Sequence, residues 1–149
     1  QGLPVAEFGL GWMCDSGLGI KQDSAEAVRW YRRAADRGMT AAQVNLGWMY
    51  EQGRGQTANL IEAAKLYRPA AESHDPRGQI LLAECLRAGK GVAADLVEAY
   101  KWLQLAATRG EADARERLSS LATELSASQI SEGLRRVREF KKSKSNSSG

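Results

Sequence analysis

The side chains that most often carry enzyme chemistry are few in this chain, and they stand at positions with a structural use. The sequence contains one histidine, His74, and the positions 36 residues before and after it are glycines, Gly38 and Gly110. A general base must lie beside a reacting group, whereas His74 falls at the end of a predicted helix. Carboxylates are plentiful, but many recur at helix starts, where they cap the backbone. We therefore predict no catalytic residue and no enzymatic activity.

Three short glycine pairs could suggest loops that bind phosphate. They occur at residues 17–19, 53–55 and 89–91, each with one residue between the glycines. A phosphate-binding loop follows a β-strand and continues into Gly-Lys-Ser or Gly-Lys-Thr, and the sequence indicates neither feature, so we interpret the pairs as structural turns. The histidine and the two cysteines also lack the spacing of metal ligands. We therefore predict no metal site and no cofactor.

The composition fits one ordinary soluble domain. The 149 residues are 43% hydrophobic and 26% charged, with a formal net charge of +3, which argues against a disordered or collagenous chain. The longest mainly apolar run, residues 8–14, is much shorter than the roughly 20 residues of a membrane-spanning helix. We predict no membrane span.

The sequence repeats itself at a period of 36 residues. Shifting it by one period places residues 10–13 (Leu-Gly-Trp-Met) on residues 46–49, which have the same sequence. The Ala-Ala pair at 34–35 likewise recurs at 70–71 and 106–107. A fixed period of roughly 20 to 50 residues is typical of a solenoid, in which each unit is one supersecondary element. We predict three stacked repeats, residues 2–37, 38–73 and 74–110.

Each period contains the signals for two helices. The first helix ends at the glycine pair, and the second begins at a capping residue that is followed three positions later by glutamate, as in Asp23 and Glu26. In such a capping box each side chain bonds the backbone N–H of the other residue. The same pairing recurs as Asn59 with Glu62 and Asp95 with Glu98. These signals predict an all-α fold.

The repeat unit resembles a known family, the Sel-one-like repeat. The family motif is A-x-x-x-L-G-x-M-Y-x-x-G-x-G, followed by D-x-x-x-A-x-x-W-Y-x-x-A-A-x-x-G. The first part is complete in the second copy, at Ala42, Leu46, Gly47, Met49, Tyr50, Gly53 and Gly55. The second part is complete in the first copy, at Asp23, Ala27, Trp30, Tyr31, Ala34, Ala35 and Gly38. Three copies cover residues 2–110.

This resemblance implies a fold and a general role. The implied fold is a right-handed α/α superhelix of antiparallel helix pairs, related to tetratricopeptide arrays. The implied role is that of a non-enzymatic scaffold or adaptor that holds other proteins. The first helices of such a stack line one long concave face, and extended curved surfaces of this kind suit the binding of a peptide or helix.

The chain after residue 110 departs from the repeat. Residues 111–140 are predicted to form a half repeat and a capping helix, because Ser126 and Gln129 make a capping box before an apolar stripe of helical spacing. The polar run 141–149 is predicted to be a disordered tail. The sequence begins directly after a repeat boundary, at Gly2, so we expect a fragment of a longer array.

Large apolar side chains recur on one face of the first helices. Phe8 and Trp12 lie one helical turn apart, and Trp48 repeats Trp12 one period later. If the opposite face packs on the second helices, this face lines the concave groove, with the apolar centre and charged rim of a protein interface. The alternative, in which these rings pack between repeats, stays open, whereas Trp30 and Trp102 are predicted to be core. The predicted groove residues are Phe8, Trp12, Asp15, Val44, Trp48, Glu51, Arg77, Ile80, Glu84 and Arg87.

The two cysteines bear on redox state and compartment. Cys14 and Cys85 lie in the first helices of repeats one and three, so two repeats separate them by roughly 20 Å, which is beyond the reach of a disulfide. We predict free thiols. Secreted cysteine-rich relatives of this repeat pair their cysteines within each unit, and this chain lacks such pairs. A cytoplasmic location is therefore favoured over a periplasmic or secreted one, although the sequence does not fix the compartment.

Two functions fit these observations. The first is a scaffold whose concave groove binds a peptide or helix of a protein partner of unknown identity. The second is contact with nucleic acid or an anionic surface through residues 134–149, which hold six Lys or Arg and one Glu. We favour the first, because the basic cluster lacks interleaved aromatic residues, and charge runs of this size are usually solvated. The basic side chains are Arg135, Arg136, Arg138, Lys141, Lys142 and Lys144.

Overall fold

The computed structural model describes residues 2–147, and over this range the chain forms eight α-helices and no strand. The all-α prediction is confirmed. The helices are α1 (Gly2–Ser16), α2 (Ser24–Asp36), α3 (Thr40–Gln52), α4 (Leu60–Glu72), α5 (Pro76–Ala88), α6 (Leu96–Thr108), α7 (Ala112–Ala122) and α8 (Ala127–Asn146).

The helices form hairpins that stack in chain order. Helices α1 and α2, α3 and α4, and α5 and α6 make the three hairpins, and the second helix of each packs on the first helix of the next. Helix α7 continues the stack as a half repeat, and α8 turns back to pack on α6. The result is the predicted solenoid with a capping helix pair at its C-terminal end.

The second helices begin at side-chain caps, although only half of the predicted capping box is present. The Asp23 carboxylate accepts a hydrogen bond from the Glu26 N–H at 2.9 Å, and Asn59 and Asp95 cap α4 and α6 in the same way. The predicted return bond is replaced, because the Asp23 N–H donates to the Cys14 carbonyl at the end of α1, at 2.8 Å. The Glu26 side chain pairs instead with Arg29. The complete box forms at Ser126 and Gln129.

The second helices are terminated by residues in the left-handed conformation. Gly38 and Gly110 have φ values of 82° and 98°, and His74 adopts a φ of 65° at the equivalent position. This conformation is uncommon for a residue with a side chain. Two tertiary contacts hold it, because the His74 carbonyl accepts a hydrogen bond from Arg109 and the imidazole packs against Phe140 with ring centroids 5.3 Å apart.

Glycine and tyrosine fit together inside the first two hairpins. A β-carbon at Gly11 would lie 2.7 Å from the Tyr31 ring, and one at Gly47 would lie 2.5 Å from the Tyr67 ring. Both distances are shorter than any normal contact, so the first helix approaches the ring closely only because these positions are glycine. The third repeat changes both partners, with Ala83 at the glycine position and Leu103 at the tyrosine position.

The glycine pairs are structural turns, as predicted, and they also join one repeat to the previous one. Both glycines of each pair have positive φ values between 66° and 77°. In the second and third pairs, a β-carbon on Gly55 would collide with the Ser24 backbone and one on Gly91 with the Leu60 backbone. Each turn therefore rests directly on the start of the preceding second helix.

Helix α8 covers the last core layer and is longer than predicted. Val137 is buried, and a β-carbon at Gly133 would lie 2.6 Å from the Tyr100 ring. The helix continues to Asn146, so residues 141–146 are helical where the sequence predicted a disordered tail. Their serine hydroxyls bond carbonyls of the preceding turn, as Ser143 does to Phe140 at 2.9 Å. Ser147 is the C-cap of α8, and the last two residues of the predicted tail, 148–149, lie outside the described residues.

Candidate functional site

The two tryptophans of the first helices reach the surface. Trp12 is 46% exposed and Trp48 is 39% exposed, so neither ring is buried between repeats. Trp102 is 1% exposed and belongs to the core, as predicted. Trp30 is partly buried against the core of the first repeats, with the Arg33 guanidinium 4.9 Å from its ring centroid. We call the surface formed by α1, α3, α5 and α7 the first-helix surface.

Arg54 joins the first two repeats on this surface. Its guanidinium lies 5.1 Å from the centroid of the Trp48 ring and its Nη2 is 2.8 Å from the Asp15 Oδ1. The side chain comes from the turn between Gly53 and Gly55, so a backbone fixed by two glycines positions it. Arg54 was not among the predicted groove residues, although the residue between the glycines is basic in two of the three pairs and was a usable signal.

A cavity of about 230 Å³ opens on the first-helix surface between α3, α5 and α7. Its apolar walls are the Trp48 ring and the aliphatic side chains of Ile80 and Leu81. Charged side chains surround it, and the predicted residues Arg77 and Glu84 are among them. Leu81 and the two α7 residues that line it were not predicted. The lining is Trp48, Arg77, Ile80, Leu81, Glu84, Asp113 and Arg117.

The arginines at and near the cavity differ in whether they form ion pairs. Arg117 forms ion pairs with Glu84 and with Asp113, the second at 2.9 Å, so one guanidinium serves two carboxylates. Arg87, which lies outside the cavity lining, pairs with Glu124. Arg77 is exposed and makes no ion pair or hydrogen bond with any residue of the range 2–147. The cavity lining therefore contains one cation without an ion-pair partner, Arg77, and two carboxylates that share Arg117.

Three of the predicted groove residues take part in packing or hydrogen bonding inside the protein. Val44 is fully buried, so it cannot contact a partner; it faces the core because α3 is covered on more sides than a single apolar stripe indicates. Phe8 is partly buried against Tyr31, with ring centroids 5.5 Å apart. Glu51 accepts a hydrogen bond from the Tyr67 hydroxyl at 3.0 Å. These three residues stabilise the helices that carry the first-helix surface.

Both thiols are buried and free, as predicted. Burial raises the pKa of Cys14 above its ordinary value. Burial, with a smaller effect of the Glu51 charge, raises the pKa of Cys85 to about 11. A thiol that stays protonated is a poor nucleophile and a poor metal ligand. Within residues 2–147, no group of three His, Cys, Asp or Glu side chains could hold a metal ion.

Two basic side chains of the C-terminal helix are neutralised by neighbouring carboxylates. Arg135 pairs with Glu132 at 2.7 Å and also with Glu139. Arg136 reaches from α8 to α6, where its Nη1 lies 2.9 Å from the Glu98 carboxylate. Hydrogen bonds from Arg135 and Arg136 lower the pKa of Glu132 to about 2. Two of the six basic side chains are thus paired with carboxylates, and one of them, Arg136, ties α8 to α6.

Comparison with known proteins assigns the repeat to a family. The family model described as Sel1 repeat matches residues 4–39, 40–75 and 76–111, and each matched segment contains one hairpin of the solenoid. The chain belongs to the Sel1 repeat family. Sel1 repeat proteins generally mediate protein–protein interactions, and the family is generally one of non-catalytic repeat scaffolds.

Solved structures of Sel1 repeat proteins share the fold of this chain. A Sel1 repeat protein from Oxalobacter formigenes is 35% identical, with a TM-score of 0.75 over 77% of this chain and 47% of its own. The protective antigen c5321 of uropathogenic Escherichia coli is 37% identical, with a TM-score of 0.80 over 83% and 27%. The cysteine-rich protein B of Helicobacter pylori is 27% identical, with a TM-score of 0.65 over 77% and 89%.

A curated relative matches over a shorter stretch. The chitin synthase regulator SKT5 of Malassezia restricta is 45% identical over 38 residues, which is 26% of this chain and 3% of that protein. The chain also spans less than half the length of the first two solved structures. Within residues 2–147, no helix is both long and apolar enough to cross a bilayer.

Proposed function

We propose that this chain is a non-enzymatic scaffold that binds a peptide or helix of a partner protein on its first-helix surface. The observation that carries the proposal is the exposure of Trp12 and Trp48 at the same position of consecutive repeats. Tryptophan is enriched at binding hot spots, because a large rigid ring gains contact area at low entropic cost. Exposing two such rings costs solvation free energy in the unbound protein, and a partner that covers them would recover it.

The pairing of charges favours this surface over the basic C-terminal end. Arg135 and Arg136 already have carboxylate partners within the protein, so each would have to give up an ion pair to meet phosphate. Aromatic stacking contributes much of the affinity for single-stranded nucleic acid, and Phe140 is packed against Trp102 with ring centroids 5.2 Å apart. Nucleic-acid or anionic-surface binding is therefore the less supported function.

The test is the selection of ligands from a displayed library of short random peptides, followed by affinity measurements on the selected peptides. The double substitution Trp12→Ala and Trp48→Ala should weaken binding strongly, since truncation of a hot-spot tryptophan costs about 2 kcal/mol or more, roughly a 30-fold change in Kd. Circular dichroism should show unchanged helicity, because both rings are exposed. Fluorescence anisotropy of a labelled peptide gives the Kd.

The matched control is Trp30→Ala, which removes a ring from the second-helix layer. This variant should lose some stability, because Trp30 packs on the core, while its affinity for the selected peptides stays unchanged. Raising the salt concentration from about 50 to 200 mM should weaken binding only slightly, whereas a contact with many phosphates loses about 1000-fold or more over this range. Failure to select any peptide, or equal binding by the double variant, would remove the proposal.

A further inference from the structure

We propose that the first-helix surface selects peptides in which a large apolar side chain is closely followed or preceded by a carboxylate, with the apolar group in the Trp48 cavity and the carboxylate on Arg77. This inference rests on the proposed function and specifies its ligand. It assigns Arg77 as the residue that selects peptides by their charge.

The cavity has the size and lining for one apolar side chain. Its volume of about 230 Å³ exceeds the roughly 150 Å³ in which an apolar protein cavity accommodates benzene. Trp48, Ile80 and Leu81 supply apolar walls from two helices. An aromatic or a large aliphatic side chain of a partner would bury its surface there and would cover part of the exposed Trp48 ring.

Arg77 is the cation at the cavity that lacks a counterion. Arg117 is bound to two carboxylates, whereas Arg77 has no ion pair in the described chain. The Glu51 charge raises the pKa of the Tyr67 hydroxyl and the Arg77 charge lowers it. Glu51 accepts a hydrogen bond from that hydroxyl and forms no ion pair with Arg77. A guanidinium binds a carboxylate through two parallel N–H···O bonds, which makes arginine well suited to this selection.

The stability of α5 does not explain an arginine at this position. Arg77 lies in the first turn of the helix, where the helix dipole disfavours a cation. The repeat does not require it either, because the equivalent residues are Val5, Ala41 and Asp113. A charge that the local structure neither uses nor neutralises is available to a ligand.

The geometry of α5 limits the spacing of the two groups in the peptide. Arg77 and Ile80 are neighbours on the helix, separated by one turn, or about 5 Å between β-carbons. A peptide residue spans about 3.3 Å when extended. The carboxylate should therefore lie within three positions of the apolar anchor. Elsewhere in the lining, Glu84 and Asp113 would repel a second acidic residue.

The experiment uses the same displayed library on the full chain and on the Arg77→Glu variant. The wild-type protein should enrich peptides with an aromatic or large aliphatic residue and with Asp or Glu within three positions of it. Arg77→Glu should instead enrich Lys or Arg at those positions and should bind the original acidic peptide at least tenfold more weakly. Arg138→Glu makes the same change of charge at an exposed position on α8 and should leave both results unchanged.

The outcomes separate this inference from the proposed function. If the selected peptides depend on Trp48 but carry no acidic residue, or bind Arg77→Glu as well as wild type, charge selection by Arg77 is wrong and the binding surface stands. If binding does not depend on Trp12 and Trp48, the proposed function is wrong, and the inference falls with it. Circular dichroism on both arginine variants excludes loss of fold as the cause of weaker binding.

Discussion

At the scale of single residues, the contact between glycine and tyrosine determines how closely the helices of a hairpin approach. Gly47 faces the Tyr67 ring so closely that one added carbon would collide with it. The third repeat removes both members of the pair, because Ala83 and Leu103 occupy the equivalent positions, and both are buried in one core cluster. The structure indicates a compensated pair, in which the smaller partner makes room for the added methyl group.

This compensation predicts a coupled pair of substitutions. Gly47→Ala should destabilise the protein by about 1–3 kcal/mol, because overpacking forces side chains or backbone to shift. Adding Tyr67→Leu should recover part of that loss, so the two changes should show a coupling free energy of about 0.5–3 kcal/mol in a double-mutant cycle. Urea unfolding monitored by circular dichroism measures each value.

The control for that cycle is Gly9→Ala, since a β-carbon at Gly9 would meet nothing within 4 Å. This change should stabilise α1 by up to about 1 kcal/mol through helix propensity. If Gly47→Ala were equally harmless, the close contact with Tyr67 would have no energetic weight, and the compensation in repeat three would be coincidental.

Thiol burial gives a second prediction at this scale. Because burial raises the pKa of both thiols, neither Cys14 nor Cys85 should react with a thiol-specific reagent such as Ellman's at about pH 8, where an ordinary cysteine is substantially ionised. Both should react after unfolding in urea. A Ser119→Cys variant places a thiol at an exposed site of α7 and should react at once, which shows that the reagent is active. Rapid reaction of the native wild-type protein would contradict the prediction.

At the scale of elements, the docking of α8 depends on ion pairs as well as on apolar contact. Arg136 links α8 to the start of α6 through Glu98, and Glu132 holds the same guanidinium from within α8 at 3.0 Å. The sequence predicted this helix from its cap and apolar stripe. It could not predict the ion pairs, because they depend on how α8 crosses α6, and no repeat period fixes that angle.

The lowered pKa of Glu132 predicts an acid-sensitive contribution to stability. A carboxylate whose pKa falls on folding stabilises the native state fully above its ordinary value of 4.5, and the effect disappears as the pH falls toward about 2. The urea midpoint of wild type should therefore exceed that of Glu132→Gln by a constant amount above about pH 5, and the two should converge near pH 2. The effect should weaken with salt, since the group is exposed.

The control for this titration is Glu116→Gln, at an exposed position of α7 that forms no ion pair with any residue of the range 2–147. Its urea midpoint should differ from that of wild type by a small amount that does not change between neutral and acidic pH in the same way. A wild-type advantage over Glu132→Gln that persists at pH 2 would mean that the side chain acts through packing alone.

At the scale of the whole molecule, the period of 36 residues determined most of what could be predicted. It fixed the register of the hairpins, the turns and the position of each tryptophan. It could not give the exposure of Trp12 and Trp48, because exposure depends on the side chains that neighbouring repeats place beside a ring. It also placed Val44 in the groove, since one stripe on a helix does not reveal how many neighbours cover it.

The candidate site was predictable only where it follows the repeat. Its predicted α3 and α5 residues came from equivalent positions of the repeat. Leu81 was missed because it lies outside that stripe, Arg54 comes from a turn, and Asp113 and Arg117 come from the half repeat. The charge asymmetry of the cavity arises from the way Arg117 bridges two acids on different helices. This ion-pair network forms only when the helices stack, so it could not be predicted from any one segment of the sequence.

The glycine turns have a consequence for how this surface could change over time. Gly55 and Gly91 rest on the main chain of the preceding unit, so the spacing between consecutive hairpins is set by peptide backbone. Substitutions among the outward-facing residues of α1, α3 and α5 therefore leave the spacing of the hairpins unchanged. Such a protein can acquire a new binding specificity by exchanging a few surface side chains, while its fold stays the same.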